Sequence, residues 1–355
     1  MKKTIRIIVI TALIAGISAC APSETVELVI LGDAFGSNTI PQAYENALKE
    51  DLDAKVNAFV WSVPSMPLHS QLETLRKETD LRQAIKNADV IMVGITPKWN
   101  DAAENLYMSD MCRGDDNQDC LRASLERAKR DWMGFVHQLA ELREGKPVIL
   151  HVIRWGDWLY PAYYGERITP EQIAVLASYF NEFQSFQAST PGVKSTIVFP
   201  QDYEQIPKEY LREDGLHISE AGSAAAVDLL RALGYEPANV EGLADLTVTF
   251  TETGCASTPP EGEIPNPIYI RVDNPTDGDN ALVIFTLEEG YGVQDILDFE
   301  GDGLPGFSDD FVAHLTPGAN ASGFYEITLI DDRENYPVCA QDGVGALAVL
   351  LALNP

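Results

Sequence analysis

The chain is poor in cations. Its 355 residues carry 25 Lys and Arg against 54 Asp and Glu, a formal net charge of −29. A surface of that sign repels polyanions, which argues against nucleic acid and anionic lipid headgroups as partners. Histidine is scarce too, with 5 in the chain, and none of the 5 cysteines forms a Cys-x-x-Cys pair. Zinc sites draw on such pairs or on clustered histidines, so neither a metal nor another cofactor is expected. Long apolar runs are few. The most apolar stretch, residues 7–17, is shorter than the roughly 20 residues a membrane-spanning helix needs. The remaining composition, 45% hydrophobic and 9% aromatic, is that of an ordinary globular protein rather than a disordered one. The acidity itself needs no explanation beyond solubility.

What is present begins with Lys2, Lys3 and Arg6, then the apolar stretch, then Ser18-Ala19. That is the layout of a secretory signal. Ile17-Ser18-Ala19-Cys20 resembles a bacterial lipobox, in which the cysteine becomes the lipidated first residue. Residues 1–20 are therefore expected to be removed or anchored. The mature chain would be an exported lipoprotein of the cell envelope, held at a membrane surface by acyl chains on Cys20. A plain signal peptide with a chance cysteine, or a retained anchor, is the alternative. Setting Cys20 aside leaves an even number, Cys112, Cys120, Cys255 and Cys339, in a compartment where disulfides persist. Cys112 and Cys120 flank a short polar loop and are expected to close it. Cys255 and Cys339 lie near the two ends of the C-terminal region and are expected to clip it.

Residues 21–25 read as a tether. From Val26 the chain alternates strand-like runs (26–31, 55–61, 90–95, 147–152, 193–199) with helix-like runs (41–52, 70–87, 120–143, 170–187, 219–233). Continuous Val/Ile/Leu strands between amphipathic helices predict a three-layer α/β domain, residues 26–236, with a parallel sheet covered on both faces. Ligands of such sheets bind beyond the carboxyl ends of the strands. The loops opening at Gly32, Ser62, Thr96, Arg154 and Pro200 are thus the ones to watch.

Beyond Gly234-Tyr235-Glu236-Pro237 the texture changes to short β-rich runs (246–250, 268–273, 282–287, 325–330) broken by prolines, with one helical turn near 293–299. This predicts a small all-β, antiparallel sandwich over residues 243–355. Val272-Asp273-Asn274-Pro275, the Pro317-Gly318 turn and Gly323-Phe324-Tyr325 before Cys339 resemble cupredoxin-like domains. Copper would need two histidines and a free cysteine. His314 is the only histidine of the region, so the resemblance implies a copper-free relative.

Two further segments carry chemistry. The first apolar run ends in Gly32-Asp33-Ala34-Phe35-Gly36-Ser37, and far downstream stands Asp214-Gly215-Leu216-His217-Ile218-Ser219. Together they resemble the first and last blocks of SGNH/GDSL-type ester hydrolases, whose domain is flavodoxin-like. The resemblance implies a serine nucleophile directly after Gly-Asp, a histidine base oriented by an aspartate three residues earlier, and oxyanion donors from two intermediate blocks. An alcohol is a poor nucleophile until such a base takes its proton, and the developing charge needs preorganised donors. Asp214 and His217 match the last block. The nucleophile position holds Ala34. The second block lacks its glycine and contains Pro64, which has no N–H. The third reads Gly94-Ile95-Thr96-Pro97, with Thr96 in place of an asparagine.

Two readings follow. In one, the domain is catalytically impaired and its cleft binds an ester, glycan or lipid. In the other, it is an atypical carboxylic-ester hydrolase using Ser37 with Asp214 and His217. The loop 154–164, with Trp155, Trp158 and Tyr160, leaves the ligand edge, and Trp99 stands just past the third strand. These aromatics are expected either to form a binding rim or to act as a lid or pack against the second domain. A third reading places the biological role in the sandwich, with the larger domain as scaffold.

Overall fold

A computed structural model describes residues 25–32, 39–64, 66–95, 101–156, 158–200, 202–241, 243–252, 254–258, 264–299, 304–340, 347–350 and 352–353. Five strands, β1 (Thr25–Gly32), β2 (Lys55–Ser62), β3 (Val90–Gly94), β4 (Ile149–Trp155) and β5 (Val193–Val198), form one sheet in the order β2-β1-β3-β4-β5. Every pairing in it is parallel. That order is the flavodoxin-like arrangement, with its switch point at the carboxyl ends of β1 and β3. β3, and β1 from Leu28 onward, read as unbroken apolar runs because both of their faces are covered.

The covering helices are α1 (Ile40–Leu52), α2 (Leu68–Lys77), α3 (Thr79–Asn87), α4 (Asp101–Met108), α5 (Asp119–Arg143), α6 (Leu159–Tyr164), α7 (Pro170–Ser189) and α8 (Glu220–Arg231). Strand alternation assigns their sides. Ile30, Met92 and His151 share one face through the parallel register. His151 there meets Tyr44 of α1, and α1 packs on α8. Leu31 and Trp61 point to the other face, where Gln71 and Leu75 of α2, Leu81 of α3 and Phe135 of α5 gather. Local signals start the helices where expected. Thr169 and Gln172 form a reciprocal capping box before α7, and the Ser219 hydroxyl accepts from the Gly222 amide at the start of α8. Among the described residues, no helix is long and apolar enough to cross a membrane.

The second part is an all-β sandwich. Its strands are β6 (Leu246–Thr251), β7 (Gly254–Thr258), β8 (Ile268–Asn274), β9 (Ala281–Leu287), β10 (Ser308–Leu315), β11 (Ala321–Ile327), β12 (Tyr336–Ala340) and β13 (Leu347–Val349), with a short α9 (Val293–Leu297). Two four-stranded sheets, β10-β9-β12-β13 and β11-β8-β6-β7, enclose a core that includes Leu246, Phe250, Ile270 and Ile284. A disulfide joins Cys255 on β7 to Cys339 on β12 and so staples one sheet to the other. Cys112 and Cys120 form the second disulfide.

The domains meet through α5. An added Cβ on Gly134 would stand 2.7 Å from the Tyr269 hydroxyl of β8, so only glycine admits that contact. The Tyr269 hydroxyl donates to Glu326 at 3.1 Å, and Arg76 of α2 reaches the same carboxylate at 2.5 Å. The rings of His137 and Phe324 lie 5.1 Å apart.

Several expectations are corrected. The run 70–87 is two helices, because Glu78 adopts an extended conformation between them. The fourth strand lies at Ile149–Trp155 rather than 147–152, so Arg154 sits inside it and does not open the loop. The run 325–330 is displaced to Ala321–Ile327. The sandwich is not purely antiparallel, since β6 pairs with β8 in parallel.

Candidate active site

Asp214 and His217 sit on a tight excursion between β5 and α8. Leu211 and Ile218 form an antiparallel bridge, and the Arg212 amide donates to the His217 carbonyl at 2.7 Å. Gly215, at φ +68°, turns the chain at the tip against the Tyr203 hydroxyl, which would lie 2.4 Å from any added Cβ. The Asp214 Oδ1 atom accepts the Leu216 and His217 amides, each at 2.9 Å. Its Oδ2 atom lies 2.7 Å from His217 Nδ1. The His217 amide, the imidazole and the Leu216 amide together hold the Asp214 carboxyl down at about 2. An ionised Asp214 accepts a hydrogen bond from Nδ1–H, which leaves Nε2 as the ring's acceptor atom. Both side chains are well exposed, 41% for His217 and 48% for Asp214. The dyad therefore stands at an open surface rather than in a sealed pocket.

Ala34 and Ser37 lie outside the described residues, as do Thr96, Trp99 and Cys20. The anchors of segment 33–38 are clear. Its entry is Gly32, at the carboxyl end of β1, where an added Cβ would meet the Gly94 carbonyl at 1.8 Å. Gly94 is thus a buried packing residue at the switch point. The exit is Thr39, whose hydroxyl donates to Ser223 at 2.8 Å in the first turn of α8. The helix that follows His217 therefore also holds the far end of the segment that carries Ala34 and Ser37.

In the second block the backbone amides after β2 are taken or missing, while the Ser62 hydroxyl and the Trp61 indole N–H are buried without a partner. The Val63 amide donates to the Gly32 carbonyl at 3.2 Å, Pro64 has no N–H, and the Met66 amide donates back to Val63.

The aromatic rim is a correction. Trp155, Trp158 and Tyr160 are buried, at 3%, 2% and 2% exposure. Trp155 packs edge-on against Trp158. The Trp158 indole donates to the Val198 carbonyl at 3.3 Å. The Tyr164 and Tyr160 hydroxyls converge on the buried carboxylate of Glu104 in α4. Aromatic bulk closes this end of the sheet instead of presenting flat rings to a ligand, and among the described contacts none of these rings packs against the sandwich. Tyr163 is the aromatic of this loop that stays exposed.

Arg154 escaped sequence reasoning as a site residue. It is half-buried on β4, and its Nε is sealed from solvent without an acceptor. The available signal was a charged residue directly before Trp155 in a run that is apolar apart from His151.

In the sandwich, Cys339 is committed to its disulfide and His314 is exposed on β10. Among the described residues no group of three or more His, Cys, Asp or Glu is placed to hold a metal ion.

No family model matches the chain, and no curated protein matches it. Among solved structures it is similar to the lipase Lip_vut3 from a goat rumen metagenome, at 21% identity and a TM-score of 0.45, covering 59% of this chain and 98% of that one. It is also similar to a lipase/acylhydrolase from Enterococcus faecalis, at 13% identity and a TM-score of 0.35, covering 61% and 99%. An acetyl xylan esterase from Geobacillus stearothermophilus is similar at 11% identity and a TM-score of 0.38, covering 61% and 97%.

Proposed function

We propose that the chain is an exported, lipid-anchored protein whose α/β domain is SGNH/GDSL hydrolase-like but catalytically impaired, with its cleft used for binding an ester, glycan or lipid. One observation carries the reading. Asp214 and His217 stand 2.7 Å apart in working geometry, while Ala34 occupies the place directly after Gly32-Asp33. A base without an attacking oxygen forms no acyl intermediate. The occupied Val63 amide and Pro64 weaken oxyanion stabilisation as well. Anchorage belongs to Cys20, and the sandwich, cupredoxin-like without a copper site, serves as a spacer or partner-binding module.

The test is hydrolysis of p-nitrophenyl acetate and butyrate by the protein and by its His217→Ala variant. The expected result is a rate at the buffer level in both. Turnover that vanishes with His217→Ala overturns the reading.

A second reading is favoured by the open Nε2 of His217, which has no partner among the described residues. Here Ser37 supplies the nucleophile and the protein is an atypical carboxylic-ester hydrolase. A fluorophosphonate adduct on Ser37 supports it. An unlabelled protein with no His217-dependent rate ends it.

A further inference from the structure

We propose that Arg154 is an anion-binding residue at the carboxyl edge of the parallel sheet, and that the ligand it takes carries an oxyanion, a carboxylate or a phosphate. The inference rests on the cleft being a ligand site and adds the ligand's charge.

Arg154 lies on the penultimate rung of β4. It pairs with Ile197 of β5 and stands one residue beyond the Gly94–Ile153 pair that ends β3. This is the carboxyl edge of a parallel sheet, where ligands of open α/β folds bind. Its neighbours in sequence run from Ile149 to Ile153 and on to Trp155, all buried and, His151 apart, all apolar, so a guanidinium stands out in this strand. Rules of local consistency fail most often where a site overrides them.

The partners of Arg154 set it apart. Arg143, which is more deeply buried, gives its terminal N–H groups to the carbonyls of Ile85, Lys86 and Pro147. Arg76, Arg231 and Arg271 each hold a carboxylate. Arg154 has neither a carbonyl nor a carboxylate among the described residues, and its Nε is buried without an acceptor. Burial alone pushes its guanidinium down from the ordinary value, with no carboxylate acting against it. In a chain with 54 acids and 25 bases, a counter-ion for one arginine is easily supplied. Holding a half-buried guanidinium with an unpartnered Nε costs stability. An incoming oxyanion removes that cost, because the planar guanidinium matches a carboxylate or phosphate bidentately. A neutral acceptor would satisfy the N–H groups and leave the charge uncompensated.

The experiment uses the full chain at constant ionic strength and follows tryptophan fluorescence, to which Trp155, the residue after Arg154, contributes. Inorganic phosphate, acetate and neutral acetamide are titrated in turn. Expected is a saturable response to phosphate or to acetate, with the stronger of the two naming the headgroup, and none to acetamide. Arg154→Gln weakens the anion response by about tenfold or more, the scale of one lost charge-assisted contact, and Arg154→Lys weakens it less. Without anion, the unfolding midpoint of Arg154→Gln is at or above that of the parent. The proposal is overturned by an anion response equal in the parent and Arg154→Gln, by no saturable response in the parent, or by a fall in the Arg154→Gln midpoint with binding unchanged. The readout is binding, so His217-dependent hydrolysis would refute catalytic impairment and leave the anion site standing.

Discussion

Lowering the pH from about 7 to about 4.5 destabilises the α/β domain through His151, the histidine that burial shifts most. It is fully buried on the interior strand β4. The Tyr44 hydroxyl lies 2.7 Å from Nδ1 and the Gly234 carbonyl 3.1 Å from Nε2. Gly234 only accepts, so Nε2 carries the proton and Nδ1 accepts from Tyr44. A second proton would leave Tyr44 facing a donor. Burial pushes the His151 imidazole down from 6.5 to about 4, with nearby Lys194 acting the same way and the Gly234 bond against it. Between those two values the unfolded chain binds a proton that the folded chain refuses, so stability falls as the pH falls. The full contribution is present above about 6.5 and is gone below about 4. The shift corresponds to about 3 kcal/mol in all, of which about 2 kcal/mol is lost by pH 4.5. The assay is urea unfolding followed by tryptophan fluorescence. All five tryptophans lie before residue 159, so the signal reports the α/β domain without the sandwich. The reference is His151→Gln, whose amide accepts from Tyr44 and donates to Gly234 but does not titrate. The parent should lose about 2 kcal/mol more than this variant between the two pH values. Equal losses, or a greater loss in the variant, would refute the assignment.

Other parts of the fold give sharp outcomes too. The Cys255–Cys339 bridge spans a sequence separation of 84 and Cys112–Cys120 one of 8. In the chain-entropy model, Cys→Ala pairs cost about 4–5 and about 2–3 kcal/mol, an order that chemical unfolding of each pair checks. Gly134→Val forces a side chain against Tyr269 and Leu72. It should cost about 1–3 kcal/mol and speed limited proteolysis of the segment between the domains. Gly215→Ala sets a methyl group at φ +68° and 2.4 Å from the Tyr203 hydroxyl. About 1–2 kcal/mol of stability should be lost by thermal unfolding.

The legible parts of the molecule are those whose signals are local. β3, and β1 from Leu28 onward, could be read because a strand buried on both faces is a continuous apolar run. Asp214 and His217 could be read because segment 214–219 resembles the last block of the SGNH/GDSL hydrolases, and Ser219 in it was placed to cap a helix. Parity of the cysteines after Cys20 pointed to both disulfides. What stayed hidden depends on distant chain. The helical period of 70–87 runs straight through Glu78, and nothing in it announces the extended backbone there. The tyrosines of α6 read as loop aromatics because their partner, Glu104, is 56 residues from Tyr160. Thr39 and Ser223, which hold α8 to the exit of the nucleophile segment, are separated by 184. Arg154 was visible, but its charge made β4 end too early.

The dyad itself does not decide between binding and turnover, because Asp214 has two tasks. Its Oδ1 atom closes the turn by accepting two backbone amides, a structural role that would persist without any reaction. Its Oδ2 atom orients the imidazole. Asp214→Asn separates the tasks. The asparagine carbonyl oxygen takes over the two amides, so the turn and helix α8 remain. The amide nitrogen then faces His217 Nδ1 as a donor, and the ring must move its proton to Nε2. The outward atom changes from acceptor to donor with almost no change in shape. Nitrogen-15 NMR of the histidine ring should report the Nδ1–H tautomer in the parent and the Nε2–H tautomer in Asp214→Asn, at nearly equal unfolding midpoints. The same tautomer in both proteins would mean that the carboxylate does not set the ring, and the outward lone pair would lose its physical basis. If the tautomers do switch, a ligand that donates to His217 should bind the parent better, and one that accepts should bind the variant better.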